Sequence, residues 1–470
     1  MRPLATLLAV VAALLSFGTA QALGHAYLVS SIPTQFTIPA DAPTAVTITF
    51  SEAVQLLRGE DLTVVDRSGR SVAAGPGRVT ADRRVIEVPL QRALRDGTYT
   101  VRYQVIGSDS HVIPGLFTFG VGVDTLEPPY LGDGSQGPSE TGPWGVSARF
   151  LEMVTLGGLF GLIVFRLGVW VPAWRRSPGV PRDDRARLVT WWRDTHWMIF
   201  GVLALAAMLA QAYGLVVQSA SALGVGVWDA VRDTAGISSV LSQTDFGTHV
   251  QVRGALLFVL FVAGAIQFMR EYGNGRTPKP ATVGGGRIAA LIMAGLVLAV
   301  ILSISSQGHA RVTEQPLLQI AAQAAHIAAA AIWIAGLALV MLVLARAPRV
   351  APGSGRTVAG HSLLAFSALA TWAVIAIFAT GLLRSIGELS DPAELWETAY
   401  GQSILIKLGL LVPLIAIALY NRRIVAALRR VEAPNRATLA LVRRTVGAEL
   451  ATSLVIVLVA TLLVAQVPGG

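Results

Sequence analysis

The chain has no cysteine among its 470 residues. That excludes a disulfide framework, a thiolate zinc site, an iron–sulfur cluster and a CxxC copper-chaperone motif. Any metal must be held by His, Met, carboxylate, Tyr or backbone groups. Methionine is also missing from residues 25–120, so this stretch offers no thioether, the ligand type suited to Cu(I). No P-loop occurs, which argues against direct ATP hydrolysis. Charge is scarce too: 14% of residues are charged and 53% are hydrophobic, a balance outside the range of soluble globular proteins. Most of the chain therefore belongs in a lipid bilayer. The net charge of +9 does not point to nucleic acid, because no basic motif stands outside the loops between apolar runs, and no nucleic-acid partner is expected.

The first 24 residues read as a secretory signal. Arg2 gives a positive start, Leu4 to Phe17 form an apolar core, and Ala20, Ala22 and Gly24 are small residues at candidate cleavage positions. A cut after Gly24 leaves His25 at the mature N-terminus. Ala20-Gln21-Ala22 fits the small-x-small rule as well, and that cut leaves Leu23 first.

Residues 25–121 alternate apolar and polar side chains. Val46–Phe50, Leu62–Val65, Val85–Val88, Tyr99–Tyr103 and Leu116–Phe119 read as short strands, separated by turn signals such as Arg67-Ser68-Gly69 and Arg95-Asp96-Gly97. Such spacing predicts a small antiparallel β-sandwich. Residues 122–145 are rich in Pro, Gly, Ser and acid and read as a flexible linker, a tether holding the sandwich near the membrane.

Two histidines give this module a possible metal site. A mature N-terminal His25 offers its α-amine and its imidazole to one ion, His111 adds a third nitrogen, and Asp109 supplies an oxygen or steadies a ligand. If residues 109–111 are extended, the two side chains share a face. Nitrogen-rich tetragonal coordination with a carboxylate favours Cu(II). Two unrelated surface histidines are the plainer alternative.

Eight apolar segments of spanning length follow within 146–468, near residues 146–169, 197–219, 250–269, 288–306, 317–345, 362–383, 402–420 and 446–467. This predicts an all-α polytopic membrane domain. Because the sandwich is exported, the first span runs outside to inside and the rest alternate, leaving the C-terminus outside as well. The loops then assigned to the inside carry the arginines, among them Arg175, Arg176, Arg270, Arg346, Arg422 and Arg443. The outer loops carry acid instead, as at Asp229, Asp233, Glu394 and Glu397. A multi-pass protein of a bacterial-type plasma membrane is expected.

Polar residues inside the spans point to function, since each is costly in hydrocarbon. His309 lies at the outer end of the fourth span and His326 in the outer half of the fifth, flanked by small residues that permit close helix approach. Arg149, Glu152, Arg253 and Lys407 lie at comparable depth, with Met153 beside Glu152 offering a thioether suited to Cu(I). Glu152 and Lys407 could instead neutralise each other. His249 reads as an interfacial residue, and His196 and His361 as histidines beside the headgroups.

The stretch His25–Pro33, the strand ending Thr49-Phe50-Ser51-Glu52, and Tyr103-Gln104-Val105 through Ser108-Asp109-Ser110-His111 to Phe119 resemble the CopC copper-binding domain. The membrane part resembles the CopD family through Gln307-Gly308-His309-Ala310, Ala325-His326 with Trp333, and Tyr400-Gly401-Gln402-Ser403 leading to Lys407 and Asn421-Arg422. The whole mature chain thus looks like a CopC–CopD fusion. That resemblance implies a cupredoxin-like sandwich holding Cu(II) through His25, His111 and Asp109, joined to a permease-like domain linked to copper uptake or resistance. Methionine-rich CopC proteins differ from it, for their Cu(I)-binding methionines are absent here. The expected function is copper acquisition, with capture outside and passage inward as Cu(I) or Cu(II) along a path including His309, His326, Glu152 and Met153. The alternatives are a non-transporting resistance factor that sequesters copper or delivers it to another protein, and a redox enzyme using copper or haem. No enzymatic activity is expected under the leading reading, and a copper-delivering or copper-receiving protein is a possible partner.

Overall fold

The computed structural model describes residues 26–57, 61–107, 112–130, 142–273, 285–307, 315–388, 399–428 and 434–463, with single positions between 388 and 399. The signal segment, His25, residues 108–111 and His309 lie outside the described residues.

Alternation builds the sandwich. In β2 (Ala45–Phe50), Val46, Ile48 and Phe50 are buried while the intervening threonines are only partly covered. Strands β1 (Leu28–Ile32), β2, β6 (Val85–Pro89) and β5 (Arg78–Val79) form one antiparallel sheet in the order β1-β2-β6-β5. In the other sheet the long β7 (Gly97–Gly107) is central, paired with β8 (Val112–Val121) along one edge and with β3 (Val54–Gln55) and β4 (Leu62–Val65) along the other. The two inner faces meet in a core that includes Ile48, Phe50, Val64, Ile86, Val101, Phe117 and Phe119. All five expected strands are present. The three additional ones are β1 and the two-residue β3 and β5.

The segment expected as a free tether starts later than Gly122. Glu127 N donates to Thr98 Oγ1 at 3.0 Å, Tyr130 N to Thr100 Oγ1 at 2.9 Å, and Arg102 Nη2 to Tyr130 O at 2.9 Å, so the chain as far as Tyr130 runs bonded along the sandwich. The Tyr130 ring rests over Gly69, where no side chain stands in its way. Two threonine hydroxyls and a guanidinium on β7 offset the cost of ordering a Pro-rich segment.

The helical part begins with α1 (Pro143–Arg175), which contains a π-helical turn at Arg166–Trp170. It continues with α2 (Arg182–Leu223), two short helices α3 (Val227–Arg232) and α4 (Thr234–Gln243), α5 (Asp245–Tyr272), α6 (Gly285–Ser305), α7 (Pro316–Val350), α8 (Ser354–Glu388), α9 (Ala399–Leu428) and α10 (Arg436–Leu463). Among the described residues, seven helices are long and apolar enough to cross a membrane: α1, α2, α5, α6, α7, α8 and α9. The eighth expected segment, 446–467, falls on α10 and runs past the described residues. Helices α1 and α7 approach closely because Gly157 and Gly161 face Ala331 and Ala335. A Cβ on Gly161 would stand 2.4 Å from the Ala335 Cβ and 2.7 Å from the Ala331 carbonyl oxygen. Small residues at such a crossing let the backbones meet, which is how helices gain contact where no water drives association.

Replacing Gly161 with Val should force α1 and α7 apart and cost about 1–3 kcal/mol, the usual penalty for overpacking. Thermal unfolding of the purified protein in detergent measures it, and an unchanged midpoint would show that this crossing does not hold the bundle together.

Candidate metal-transfer site

The flanks of the expected metal ligands converge at one end of the sandwich. Next to His25, Ala26 is 2% exposed and belongs to the core. Tyr27 N donates to Ser51 Oγ at 3.0 Å, and Ser51 N donates back to Tyr27 O at 2.9 Å. From Ser51 the chain crosses directly to the other sheet, where Val54 pairs with Gly107. Gly107 and Val112 bound the connection that carries Asp109 and His111, and Ile106 pairs with Val112 at its base. His25, Asp109 and His111 themselves lie outside the described residues. On the stem of the hairpin, Tyr103 packs edge-on to Phe50 with ring centroids 5.5 Å apart, and burial pushes its phenol above the ordinary value. It therefore stays protonated near neutral pH and is a poor metal ligand.

This end of the sandwich is docked on the helical domain. Leu57 and Ile106 pack with Ala222 of α2 and Val240 of α4, and Val112, Leu215, Leu223 and Phe246 surround them. Beside this apolar patch, Gln104 Nε2 donates to the carbonyls of Ser221 at 2.6 Å and Ala222 at 3.0 Å. Those carbonyls belong to the last turn of α2, which closes on Gly224 at φ +66° with Val225 N bonded to Ala220 O and Gly224 N to Ser221 O, a Schellman cap. A side chain at Gly224 would meet Gln104 Oε1 at 3.3 Å, so glycine here serves both the left-handed turn and the docking. The neighbouring short helix α4 is capped by Asp233, whose Oδ1 accepts from Gly236 N at 2.8 Å.

Beneath the docked end lies a buried ion pair. The Arg253 guanidinium carbon is 5.9 Å from the centroid of the Phe246 ring, and its Nη1 donates to Glu152 Oε1 at 3.1 Å. Arg253 is 3% exposed and the Glu152 side chain 21%. The described partner of Glu152 is thus Arg253 on α5; the side chain of Lys407, the companion considered as an alternative, lies outside the described residues. Opposite charges in hydrocarbon persist only as such pairs. Met153 is exposed on the surface of α1.

His326 is half-buried, and its Nδ1 lies 3.0 Å from Thr380 Oγ1 and 3.1 Å from Ile377 O on α8, as a residue turned toward the bundle interior should. The offset that sets Gly157 on Ala331 and Gly161 on Ala335, carried back toward the sandwich end, puts Glu152 level with His326. They face different neighbours, α5 and α8. Among the described residues no group of three or more His, Asp and Glu comes close enough to hold a metal. His249, expected at the interface, ties α5 to α6 through Ser303 Oγ at 3.2 Å.

Three features escape local sequence reasoning. His196, expected beside the headgroups, is 2% exposed and set among Trp192 and Trp197. It lines a small cavity with Arg166, Gln267 and Met293, because the tryptophans of α1 and α2 extend the helical core around it at the end away from the sandwich. Glu271 joins α5 to that core, accepting from Arg166 and from Trp197 Nε1. Glu449 is 5% exposed on α10 and accepts from Trp333 Nε1 at 3.0 Å and Asn421 Nδ2 at 2.6 Å. Its signal was a lone carboxylate inside an apolar run.

Arg253→Ala should leave Glu152 without its counter-charge and cost about 3–5 kcal/mol, read as a lowered unfolding midpoint in detergent. The double variant Glu152→Gln with Arg253→Gln should recover most of it; additive losses would mean that the two side chains act independently.

Residues 28–122 match the family model for the CopC domain, residues 141–316 that for the copper resistance protein D-like N-terminal domain, and residues 361–463 that for copper resistance protein D. Copper transport protein CutJ of Bacillus subtilis (strain 168) is 26% identical over 392 residues, covering 83% of this chain and 66% of CutJ, so the chain spans just under two thirds of that relative's length. Protein YobA of Escherichia coli (strain K12) is 32% identical over 108 residues, 23% of this chain and 86% of YobA. Copper resistance protein C of Xanthomonas campestris pv. juglandis is 30% identical over 125 residues, 26% of this chain and 96% of that protein.

Proposed function

The chain belongs to the CopC–CopD fusions of the copper resistance and transport family, and from that premise we propose that it acquires copper. The sandwich captures Cu(II) outside the cytoplasm and hands it to the helical domain, which carries it inward. The observation that carries this reading is the docking: the sandwich end that gathers the flanks of His25, Asp109 and His111 is the end seated on α2 and α4. A sandwich meant only to store copper or to load another protein gains nothing from covering its metal-binding end in this way.

In the proposed cycle the His25 amine and imidazole and His111 hold Cu(II), with Asp109 at or near the metal. Nitrogen donors in tetragonal array suit the oxidised ion. Docking keeps the capture site at high local concentration over the membrane entrance, so transfer needs no free diffusion. His309, which the sequence puts at the outer end of the fourth span, is the proposed first acceptor there. Inward of it lie Glu152, held by Arg253, and at the same level the imidazole of His326, with the thioether of Met153 on the α1 surface beside them if the ion passes as Cu(I). Arginine-rich loops at the end away from the sandwich fit an inner face there.

Radioactive copper uptake in cells tests this reading. His111→Ala removes a capture ligand, Ile106→Glu puts a charge into the docking patch, and His326→Ala removes the interior imidazole. Each should lower uptake several-fold at limiting copper. Uptake equal to wild type in all three would sink the import reading, and cytoplasmic copper that rises on deletion of the gene would support protective sequestration instead.

A further inference from the structure

Glu449 lies outside the copper path described above. It stands near the middle of α10, and its two partners come from the middle of α7 and from α9, so three helices converge on one carboxylate. Both partners are neutral donors. Other charged or titratable groups on the helices packed against α10 are engaged elsewhere or set apart. Arg422 of α9 donates to Thr371 on α8, while Glu152 and Arg166 of α1 pair with Arg253 and Glu271. On α7, His326 is bonded to Thr380, and Arg346 and Arg349 lie at the far end. On α10 itself, Arg443 and Arg444 precede Glu449 by more than a turn, toward the helix start. The side chain of Lys407 lies outside the described residues.

The second observation is the Asn421 amide. Asn421 is 7% exposed, its Nδ2 donates to Glu449 Oε2, and its Oδ1 is buried without a partner among the described residues. Rotating the amide exchanges the two ends. With Nδ2 toward the carboxylate the contact suits the ionised form. With Oδ1 toward it, a protonated Oε2–H donates to Asn421 instead. One hydrogen bond is present in either state, so this contact accepts a proton without losing its geometry. The donor set of carboxylate and amide oxygens is hard, which suits a proton better than the soft ion Cu(I).

The geometry points to Glu449 as a proton-exchange site of the membrane domain: its carboxylate takes up H⁺ to become the acid, and releases it to become the carboxylate again, with Asn421 turning over between the two states. Its place suits coupling, a part of the inference that rests on the copper-import reading. His326 and Trp333 occupy one face of α7 two turns apart, about 10 Å along the axis, so movement of copper at His326 and of a proton at Glu449 act on the same helix.

Infrared difference spectroscopy of the full chain in proteoliposomes, stepped across about pH 4 to 9 where carboxyl groups in proteins titrate, tests the site whether or not copper moves. Wild type should show a carboxyl C=O band that grows on acidification and is missing in Glu449→Gln; an identical band in the variant overturns the proposal. Should Glu449→Gln fail to fold, Trp333→Phe removes one donor and should shift the frequency of that band, and an unshifted band overturns it. In the same vesicles, loaded with a pH-sensitive dye, copper uptake by wild type should move protons, and Glu449→Gln should abolish that movement. Proton movement that persists undiminished in the variant counts against Glu449. Absence of copper uptake by wild type defeats the import reading and leaves the infrared result to decide the proton site.

Discussion

Hydrocarbon offers no hydrogen bonds, so every polar group carried into it must be answered from within the chain. That constraint organises the helical domain. Glu152 is met by Arg253 and Glu271 by Arg166 and Trp197, while Glu449 is met by Trp333 and Asn421. In each case the partners come from different helices, so satisfying the charge also fixes which helices adjoin. The apolar surface packs around these cross-links and small residues such as Gly161 and Ala331 let it close. The three carboxylates differ in one respect that bears on function: two are matched by a guanidinium, and the third by neutral donors only.

Much of the architecture could be read from local pattern. The alternation of Val46, Ile48 and Phe50 announces a strand, and apolar runs announce the membrane helices, because both signals arise from burial of side chains near in sequence. The two-residue strands β3 and β5 carry too little pattern to be seen. The docking of the sandwich is invisible in the same way. Gln104 and Ile106 look like any residues of a strand, and Ala222 and Val240 like any residues near a helix end; only the fold brings them together. Partner choice among buried charges is equally non-local, and nothing in the sequence singles out Arg253 as the companion of Glu152. Glu449 is a carboxylate in an apolar segment, yet the preceding Arg443 and Arg444 make it resemble loop charge, and it passes unnoticed in the sequence. His196 misleads for the opposite reason, since a histidine at the start of a span looks wet until the tryptophans around it are seen to close over it.

The two domains are thus less separable than the Pro- and Gly-rich stretch between them suggests. Residues up to Tyr130 are strapped to the sandwich, and the docking patch is apolar at its centre with Gln104 at its side. An interface of this kind can hold a preferred arrangement while remaining small enough to open. Under the proposed import cycle, capture from solution needs the sandwich end accessible at some stage and hand-over needs it seated, so a contact of moderate strength serves both.

Gln104 carries a consequence for the membrane helix it touches. The final carbonyls of a helix are left over by its own bonding pattern, and at the end of α2 the Ala222 carbonyl takes its described bond from the sandwich. Part of the terminus of a membrane helix is therefore completed by a side chain more than a hundred residues earlier in the chain. Splitting the protein into its two halves would leave that turn to water, and the membrane half would begin to fray at the end of α2. Fusion therefore supplies more than proximity: the sandwich is a structural part of the membrane helix end on which it sits.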